Sequence, residues 1–534
     1  MKHHSVTFSP EGHSISIHDG ATLVEAAGQA GIVINTTCGG GGTCQKCEVF
    51  ILPERQKVLA CQYRVESDLI VEVPARSRFF EQQILRHGID RQVAIAPPIR
   101  QHLPELKEAD HVYGVAVDIG TTTIVANLVD MATGRSLANA AAGNPQIPYG
   151  DDVVSRIAYA ESPIGLDTLQ AAVVRCLNEL IEQLTVQAKV PARCIFEVTV
   201  AGNTTMTHIL LKFPLRQLGQ APYTAHSTKA QDRSAGQLGI AINPRGNVHV
   251  IQSIAGFVGA DTVAAAVAVG MHEVDVMTLL VDIGTNGEIV LGTKDNMYAA
   301  SCAAGPALEG ARISQGGRAV KGAIESVVVC PDGTDIDVDV IGACPARTIC
   351  GSGLIDAVAV MLELGLLDAT GRFLPVEQLR GNVAPAVLNR VVQHHGQPAF
   401  VLAGAGDDDH DAVLITQKDI RETQLAKAAI RSGIRLLQKK MRISDSDIRQ
   451  VLLAGAFGNF IRRESAIRIG LLPRIDPDRV HFVGNAAGSG ARMVLLSSEC
   501  RRLSGELADR IRYVEIAHEL DFQTVFADEL MFEQ

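Results

Sequence analysis

The chain has no basic excess, no apolar run long enough to cross a bilayer and, outside one short segment, no cysteine pattern. Lys and Arg number 48 against 59 Asp and Glu, a formal net charge of −11. A main partner that is nucleic acid or an anionic membrane calls for a basic face, so neither is expected. The longest apolar stretches, 258–271 and 353–367, are interrupted by Asp261, Asp356 and Glu363, whereas a membrane span needs about 20 predominantly apolar residues. No charged start followed by an apolar core opens the chain, so no secretory signal is expected. Of the 11 cysteines, Cys176, Cys194, Cys302, Cys330, Cys344, Cys350 and Cys500 are scattered among apolar or glycine-rich neighbours. That usage fits small buried hydrophobes in a reducing compartment, and cytoplasm is the expected location. The length of 534 residues allows about two to four domains.

The remaining four cysteines carry the first chemical signal. Val6 and Phe8, then Ile15 and Ile17, alternate around Pro10-Glu11-Gly12 and predict a hairpin. Asp19 precedes Thr22-Leu23-Val24-Glu25-Ala26-Ala27, which predicts a short helix. Strands are expected at 48–51 and 69–73. Between them lie Cys38-Gly-Gly-Gly-Gly-Thr-Cys44-Gln-Lys-Cys47 and, later, Cys61. Three thiolates from one loop and a fourth from elsewhere suit a 2Fe–2S cluster. The run Gly39-Gly40-Gly41-Gly42 lets the loop wrap closely and point N–H groups at sulfur. Structural zinc is the competing reading, but zinc favours two short cysteine pairs, and here the first gap is a five-residue glycine-rich loop. Residues 79–110, bordered and crossed by prolines, read as a linker able to swing the cluster domain, with a short helix over 79–87.

The second signal is duplicated. A hydrophobic strand ends in Asp118-Ile119-Gly120-Thr121-Thr122-Thr123, and another ends in Asp282-Ile283-Gly284-Thr285-Asn286-Gly287-Glu288. Each is followed in order by an Ala-Gly element, at Ala201-Gly202-Asn203 and at Ala454-Gly455-Ala456-Phe457-Gly458-Asn459. Repetition in order argues for two related lobes. Asp118 to Gly202 spans 84 residues and Asp282 to Gly455 spans 173, so the second lobe carries an insertion, placed at about 325–440. The glycines let the backbone approach a phosphate, and main-chain N–H groups with the hydroxyls of Thr121, Thr122 and Thr285 donate to its oxygens. Asp118 and Asp282 suit a hydrated magnesium, and Glu288 an attacking water. Gly455, Ala456, Gly458 and Asn459 suit adenine and ribose. Ser301 and Cys302, in a glycine-rich loop, are candidate contacts for a ligand or partner, although loop geometry alone accounts for such glycines. The acidic run 407–411 lacks the spacing of a calcium loop and reads as a solvated loop. Together these features read as an ATP clamp of the actin and sugar-kinase type.

At these residues the chain resembles the reductive activators of corrinoid proteins. The resemblance rests on the cysteine motif at 38–61, on 118–123, Asn203-Thr204-Thr205, 282–288, 303–310, 350–353 and 455–459. It implies a multidomain α/β protein: a β-grasp 2Fe–2S ferredoxin domain over 1–78, the linker at 79–110, and a duplicated ribonuclease-H-like, actin-type ATPase with lobes at 111–270 and 271–534. It implies that Co(II) corrinoid is returned to Co(I) in a methyl-transferring partner protein, driven by ATP with Mg²⁺, and it allows a homodimer. Some relatives carry an extra domain before the clamp or further clusters at the C-terminus. No cysteine follows Cys500 here, so the electron donor is expected to be a separate reductase or ferredoxin. Plant-type 2Fe–2S centres lie at about −400 mV, Co(II) corrinoid is harder to reduce, and each ~100 mV of gap costs roughly 2.3 kcal/mol for one electron. Nucleotide binding that differs between conformations offsets such a gap. Three other readings stay open: an ATP-driven activator of another low-potential enzyme, a small-molecule kinase with a redox-sensing domain, and a non-catalytic regulator.

Overall fold

The computed structural model describes residues 2–533 apart from 10, 11, 31, 33, 35–46, 75–83, 86, 87, 90, 92, 104, 105, 107–111, 151, 285, 311, 318, 405–411 and 456–460. Strands His3–Ser9 and His13–His18 form the antiparallel hairpin expected from their alternation, with Val6 opposite Ile15. Gly12 supplies its left-handed turn at φ 71°. Helix Leu23–Gln29 starts where Thr22 and Glu25 exchange hydrogen bonds, Thr22 N–H to Glu25 at 2.6 Å and Glu25 N–H to Thr22 Oγ1 at 3.2 Å. Its apolar side, Leu23, Ala26 and Ala27, packs on Val6, Phe8, Val49 and Val71. Leu69–Glu72 lies parallel to the first strand and antiparallel to Glu48–Leu52, which closes a five-stranded sheet with Gln56–Leu59 at its edge. Helix on mixed sheet in this order is a β-grasp.

The linker departs from expectation. Ile84–Leu85 pairs antiparallel with Gly88–Ile89; residues 79–83 lie outside the described residues. Gly88 disfavours helix, and the reversal lets the backbone pair with itself. Downstream the chain docks firmly: Ala96 N–H donates to the Leu496 carbonyl at 2.9 Å, the Ala96 carbonyl accepts from Ser498 N–H at 3.0 Å, and Ile99 is buried. The second half of the linker is thus part of the larger body.

That body contains the same sheet twice. In lobe one the strand order is Ser136–Gly143, Thr123–Asp130, Tyr113–Ile119, Ile195–Gly202, Asn247–Val250, with Gln231–Ser234 at the edge. In lobe two it is Asn296–Cys302, Gly287–Thr293, Thr278–Ile283, Gln450–Ala454, Val480–Gly484, with Arg512–Tyr513 at the other edge. Each begins with three antiparallel strands and continues with two parallel ones. Helix Gly165–Ala188 connects third to fourth strand in lobe one. Helix Gln417–Met441 occupies the same place in lobe two. The additional segment of lobe two therefore lies between Cys302 and Gln417 rather than at 325–440. It contains the sheets Ala323–Val329, Ile336–Val340, Thr348–Ile349 and Val391–His394, Gln397–Ala403, Val413–Thr416, and helix Gly351–Glu363.

Two helices of small residues, Ala260–Val269 and Ala486–Leu496, lie between the sheets. Ala260, Val263 and Ala264 with Ala491, Val494 and Leu495 cover lobe one; Ala265, Val267 and Ala268 with Ala486 and Met493 cover lobe two. Their backbones touch: a Cβ on Gly490 would lie 1.9 Å from the Ala264 carbonyl oxygen. Gly490→Ala is therefore expected to lower stability by about 2 kcal/mol through forced separation of the helices. Gly505→Ala, in helix Ser498–Arg510 with its nearest neighbour at 3.7 Å, is expected to be neutral or to gain up to about 1 kcal/mol. Denaturant midpoints of the two variants check both.

Candidate functional site

Two regions gather reactive side chains. In the N-terminal domain Cys47 precedes strand Glu48–Leu52 and Cys61 follows Gln56–Leu59, so the open end of this hairpin brings them together. Ala60 N–H donates to the Cys47 carbonyl at 2.9 Å. The two Sγ atoms are 3.3 Å apart, with Cys47 fully buried. That separation is far beyond an S–S bond of about 2.05 Å and fits two thiolates on one metal. Cys38 and Cys44 lie outside the described residues.

The second region is the cleft between the lobes. Asp118 is the penultimate residue of Tyr113–Ile119, and Gly120 N–H closes the following turn on the Thr123 carbonyl at 2.9 Å. A Cβ at Gly120 would sit 2.8 Å from that oxygen. The turn is clamped from behind. Asn144 Nδ2 donates to the Gly120 carbonyl at 2.8 Å, and the buried Arg156 donates to the Thr121 carbonyl at 2.6 Å. Asn203 Nδ2 donates to Thr121 Oγ1 at 3.0 Å, which leaves that hydroxyl hydrogen to be donated elsewhere. Thr122 Oγ1 donates to Glu309 Oε2 at 3.2 Å, across the cleft. Thr123 is exposed and contributes its carbonyl.

Lobe two supplies the facing hairpin. Asp282 stands opposite Glu288, and Gly284 N–H bonds the Asn286 carbonyl at 3.0 Å. Gly287 has a different reason for being glycine: a Cβ there would meet Ile430 at 2.8 Å. Gly455, at φ 94°, brings its backbone against the first hairpin strand, and a Cβ would lie 2.7 Å from both Asp282 Oδ1 and the Ile283 carbonyl. Thr285, Ala456, Gly458 and Asn459 lie outside the described residues.

The ends of the two bridging helices complete the cleft floor. Asn485 caps Ala486–Leu496 by accepting from Gly488 N–H at 2.7 Å, and its Nδ2 donates to Asp118 Oδ2 at 3.0 Å. Asp261 opens Ala260–Val269 and accepts from Thr262 N–H at 2.7 Å. In the sequence Asp261 reads only as an interruption of an apolar run. The Gly259-Ala260-Asp261-Thr262 pattern at a helix start was the available signal. Asp118, Asp261, Asp282 and Glu288 form one acidic group. Burial, then the charges of Asp261 and Asp282, push Asp118 up to about 7. Burial and Asp261 push Asp282 up to about 7, and burial pushes Asp261 up to about 6. Glu288 is raised well above the usual range by burial, Asp261 and Asp282, while a Ser301 hydrogen bond opposes the rise. Among the described residues none of the four is ion-paired. The four act on one another electrostatically, but among the described residues no three acids stand close enough together to form a metal cluster.

Ser301 and Cys302 separate. Ser301 pairs with Glu288 and bonds its carboxylate. Cys302, one residue on in the strand, points to the opposite face; it is fully buried, with Sγ 2.3 Å from where a Cβ of Gly433 would be. It is a core side chain with no access to ligand or partner. The 350–353 loop also turns inward: Ser352 Oγ donates to the Glu325 carbonyl at 2.8 Å inside the inserted segment.

Comparison with known proteins gives a consistent result along the chain. Residues 6–66 match the 2Fe–2S iron–sulfur cluster binding domain, 113–274 the RACo middle region, and 276–534 the C-terminal domain of RACo, the ASKHA domain. The chain is 33% identical to the corrinoid activation enzyme RamQ of Eubacterium limosum, over 97% of this chain and 98% of that one. It is 25% identical to a Methanosarcina barkeri reductase specific for a Co(II) methylated-amine corrinoid protein, over 72% and 70%. A solved reductive activator for a corrinoid iron–sulfur protein superposes with a TM-score of 0.73 at 32% identity, covering 99% of this chain and 98% of that one.

The acidic group has a pH signature. Its folded-state pKa values lie above those of the unfolded chain, so the folded state binds extra protons. Stability from this source is present at low pH and is lost as pH rises through about 6 to 7. Without Mg²⁺ or nucleotide, Asp282→Asn is expected to be more stable than wild type by about 2 kcal/mol at pH 8, less than the full shift because the carboxylate faces an open cleft. The gain should vanish near pH 4. Melting curves at the two pH values, repeated with Mg²⁺, check it.

Proposed function

The chain belongs to the reductive activators of corrinoid proteins, and we propose that it delivers one electron to the Co(II) centre of a corrinoid protein and so regenerates Co(I), in a reaction that depends on ATP. The observation that carries this reading is the presence on one chain of a paired-thiol hairpin in a 2Fe–2S domain and a two-lobed cleft lined by phosphate turns and acids. Cys38, Cys44, Cys47 and Cys61 would hold the cluster, which supplies a single low-potential electron when bound.

Within the cleft each residue has a distinct task. The turns at Gly120-Thr121-Thr122 and Gly284-Thr285-Asn286 present N–H and hydroxyl donors to phosphate oxygens from opposite sides. Arg156, Asn144 and Asn203 hold the first turn in shape without entering the cleft. Asp118 and Asp282 would hold a hydrated Mg²⁺ largely through its waters, and its charge would keep both carboxylates ionised. Glu288, steadied by Ser301, would orient a water. Gly455 and the residues 456–459 would take the nucleoside. Lobe closure on ATP, rather than phosphoryl transfer to a metabolite, is the proposed use of the nucleotide. The cobalt is the substrate, and a methyl-transfer protein carries it. A separate reductase or ferredoxin supplies the electron, and the working state is a cytoplasmic homodimer.

The test is formation of Co(I), followed by absorbance, when reduced protein is mixed anaerobically with a Co(II) corrinoid protein. It should require Mg-ATP and fall at least about 100-fold in Cys61→Ser and in Asp282→Ala. Accumulation of a phosphorylated small molecule in proportion to ATP used would overturn the proposal.

A further inference from the structure

Among the described residues, Thr122 and Glu309 form a hydrogen bond that joins lobe two to the lobe-one phosphate turn itself. Other bonds between the lobes among the described residues include Asn485 to Asp118, Arg501 to Glu197 (2.8 Å) and Gln252 to Asp509 (2.7 Å). Glu309 ends the short turn Pro306–Glu309, which two left-handed glycines bracket, Gly305 at φ 73° and Gly310 at φ 79°.

The backbone just beyond Glu309 is tightly tied to the base of the inserted segment. A Cβ on Gly310 would lie 2.5 Å from the Gly317 carbonyl, and Gly317 N–H donates to the Ile349 carbonyl at 2.9 Å. Ser314 N–H donates to the buried Asp419 at 2.7 Å, at the start of helix Gln417–Met441. Gln315 bonds the Ala412 carbonyl at 3.0 Å and Leu414 N–H at 2.7 Å. Close backbone packing of this kind transmits a shift rather than absorbing it. A phosphate oxygen entering the lobe-one turn is an acceptor like the Glu309 carboxylate and carries the same sign of charge. Both seek the Thr122 hydroxyl, and they repel each other.

We propose that Glu309 is the positioning residue through which nucleotide occupancy reaches the inserted segment: without nucleotide it holds the Thr122 hydroxyl, and an ATP phosphate takes that hydroxyl and displaces the carboxylate. This rests on the reading of the cleft as an ATP site. It goes further by naming the contact that ATP breaks and the element that moves in consequence.

The test uses the full chain, titration with Mg-ATP, and hydrogen exchange of peptides covering 306–349. Glu309→Ala is expected to bind Mg-ATP about 10-fold tighter, a change of about 1.4 kcal/mol. In that variant the 306–349 peptides exchange, without nucleotide, at the rate wild type reaches only with Mg-ATP. Glu309→Gln keeps an acceptor and loses the charge, so it binds more tightly than wild type and retains a smaller exchange response to Mg-ATP. Where the alanine variant does not fold, the glutamine variant decides alone on the same two readings. Unchanged affinity with an unchanged exchange response overturns the inference. So does a 10-fold weaker affinity in either variant, which would make Glu309 a ligand of the bound nucleotide. Failure of wild type to bind Mg-ATP overturns the cleft reading as well, whereas binding with unaltered variants overturns this inference alone.

Discussion

The backbone contact between helices Ala260–Val269 and Ala486–Leu496 is the constraint on which the cleft depends. Each helix is covered by both sheets, so the pair closes the inner face of each lobe, while each lobe keeps a further core of its own on its outer face. Glycine at 490 and alanine at 264 bring the axes close enough for the helix starts to share one floor. Asp261 and Asn485 stand at those starts, and Asn485 reaches from the second helix to the lobe-one acid Asp118 at 3.0 Å. A larger residue at the crossing would separate the helices and, with them, the carboxylates. Stability and site geometry therefore rest on the same contact.

That geometry holds like charges together. Several carboxylates at a cleft floor cannot all ionise without a counter-charge, and burial adds to the cost. Among the described residues no cationic side chain fills that role. At neutral pH this group is therefore stabilised by any positive charge brought close to it. A ligand shifts an equilibrium only by its difference in affinity between states.

The readable parts of this sequence were those where chemistry fixes spacing. Four cysteines around a glycine loop, and Asp-Ile-Gly-Thr twice, leave few alternatives. Strand alternation at Val6, Phe8, Ile15 and Ile17 predicted a hairpin that is present. Asp261 was hidden because an acid at a helix start and an acid interrupting an apolar run look identical in one dimension; only the crossing of two helices gives it neighbours. The insertion limits were misplaced for a related reason. Helix Gln417–Met441 belongs to the lobe by topology, as the counterpart of Gly165–Ala188, and nothing in its composition says so. Cys302 looked accessible in a glycine-rich segment, but strand alternation turns Ser301 to the acids and Cys302 into the core.

The linker sharpens the question of what can move. Its second half is bonded to helix ends at Leu496 and Ser498, directly after the second bridging helix. The inserted segment provides a second route, because His3 in the first strand of the cluster domain hydrogen-bonds Asp339 at 2.9 Å on strand Ile336–Val340. The cluster domain is therefore tied directly to the inserted segment, by a contact that does not depend on the linker. That contact sets the cluster domain's sheet, whose hairpin brings Cys47 and Cys61 together, against the segment that Glu309 adjoins.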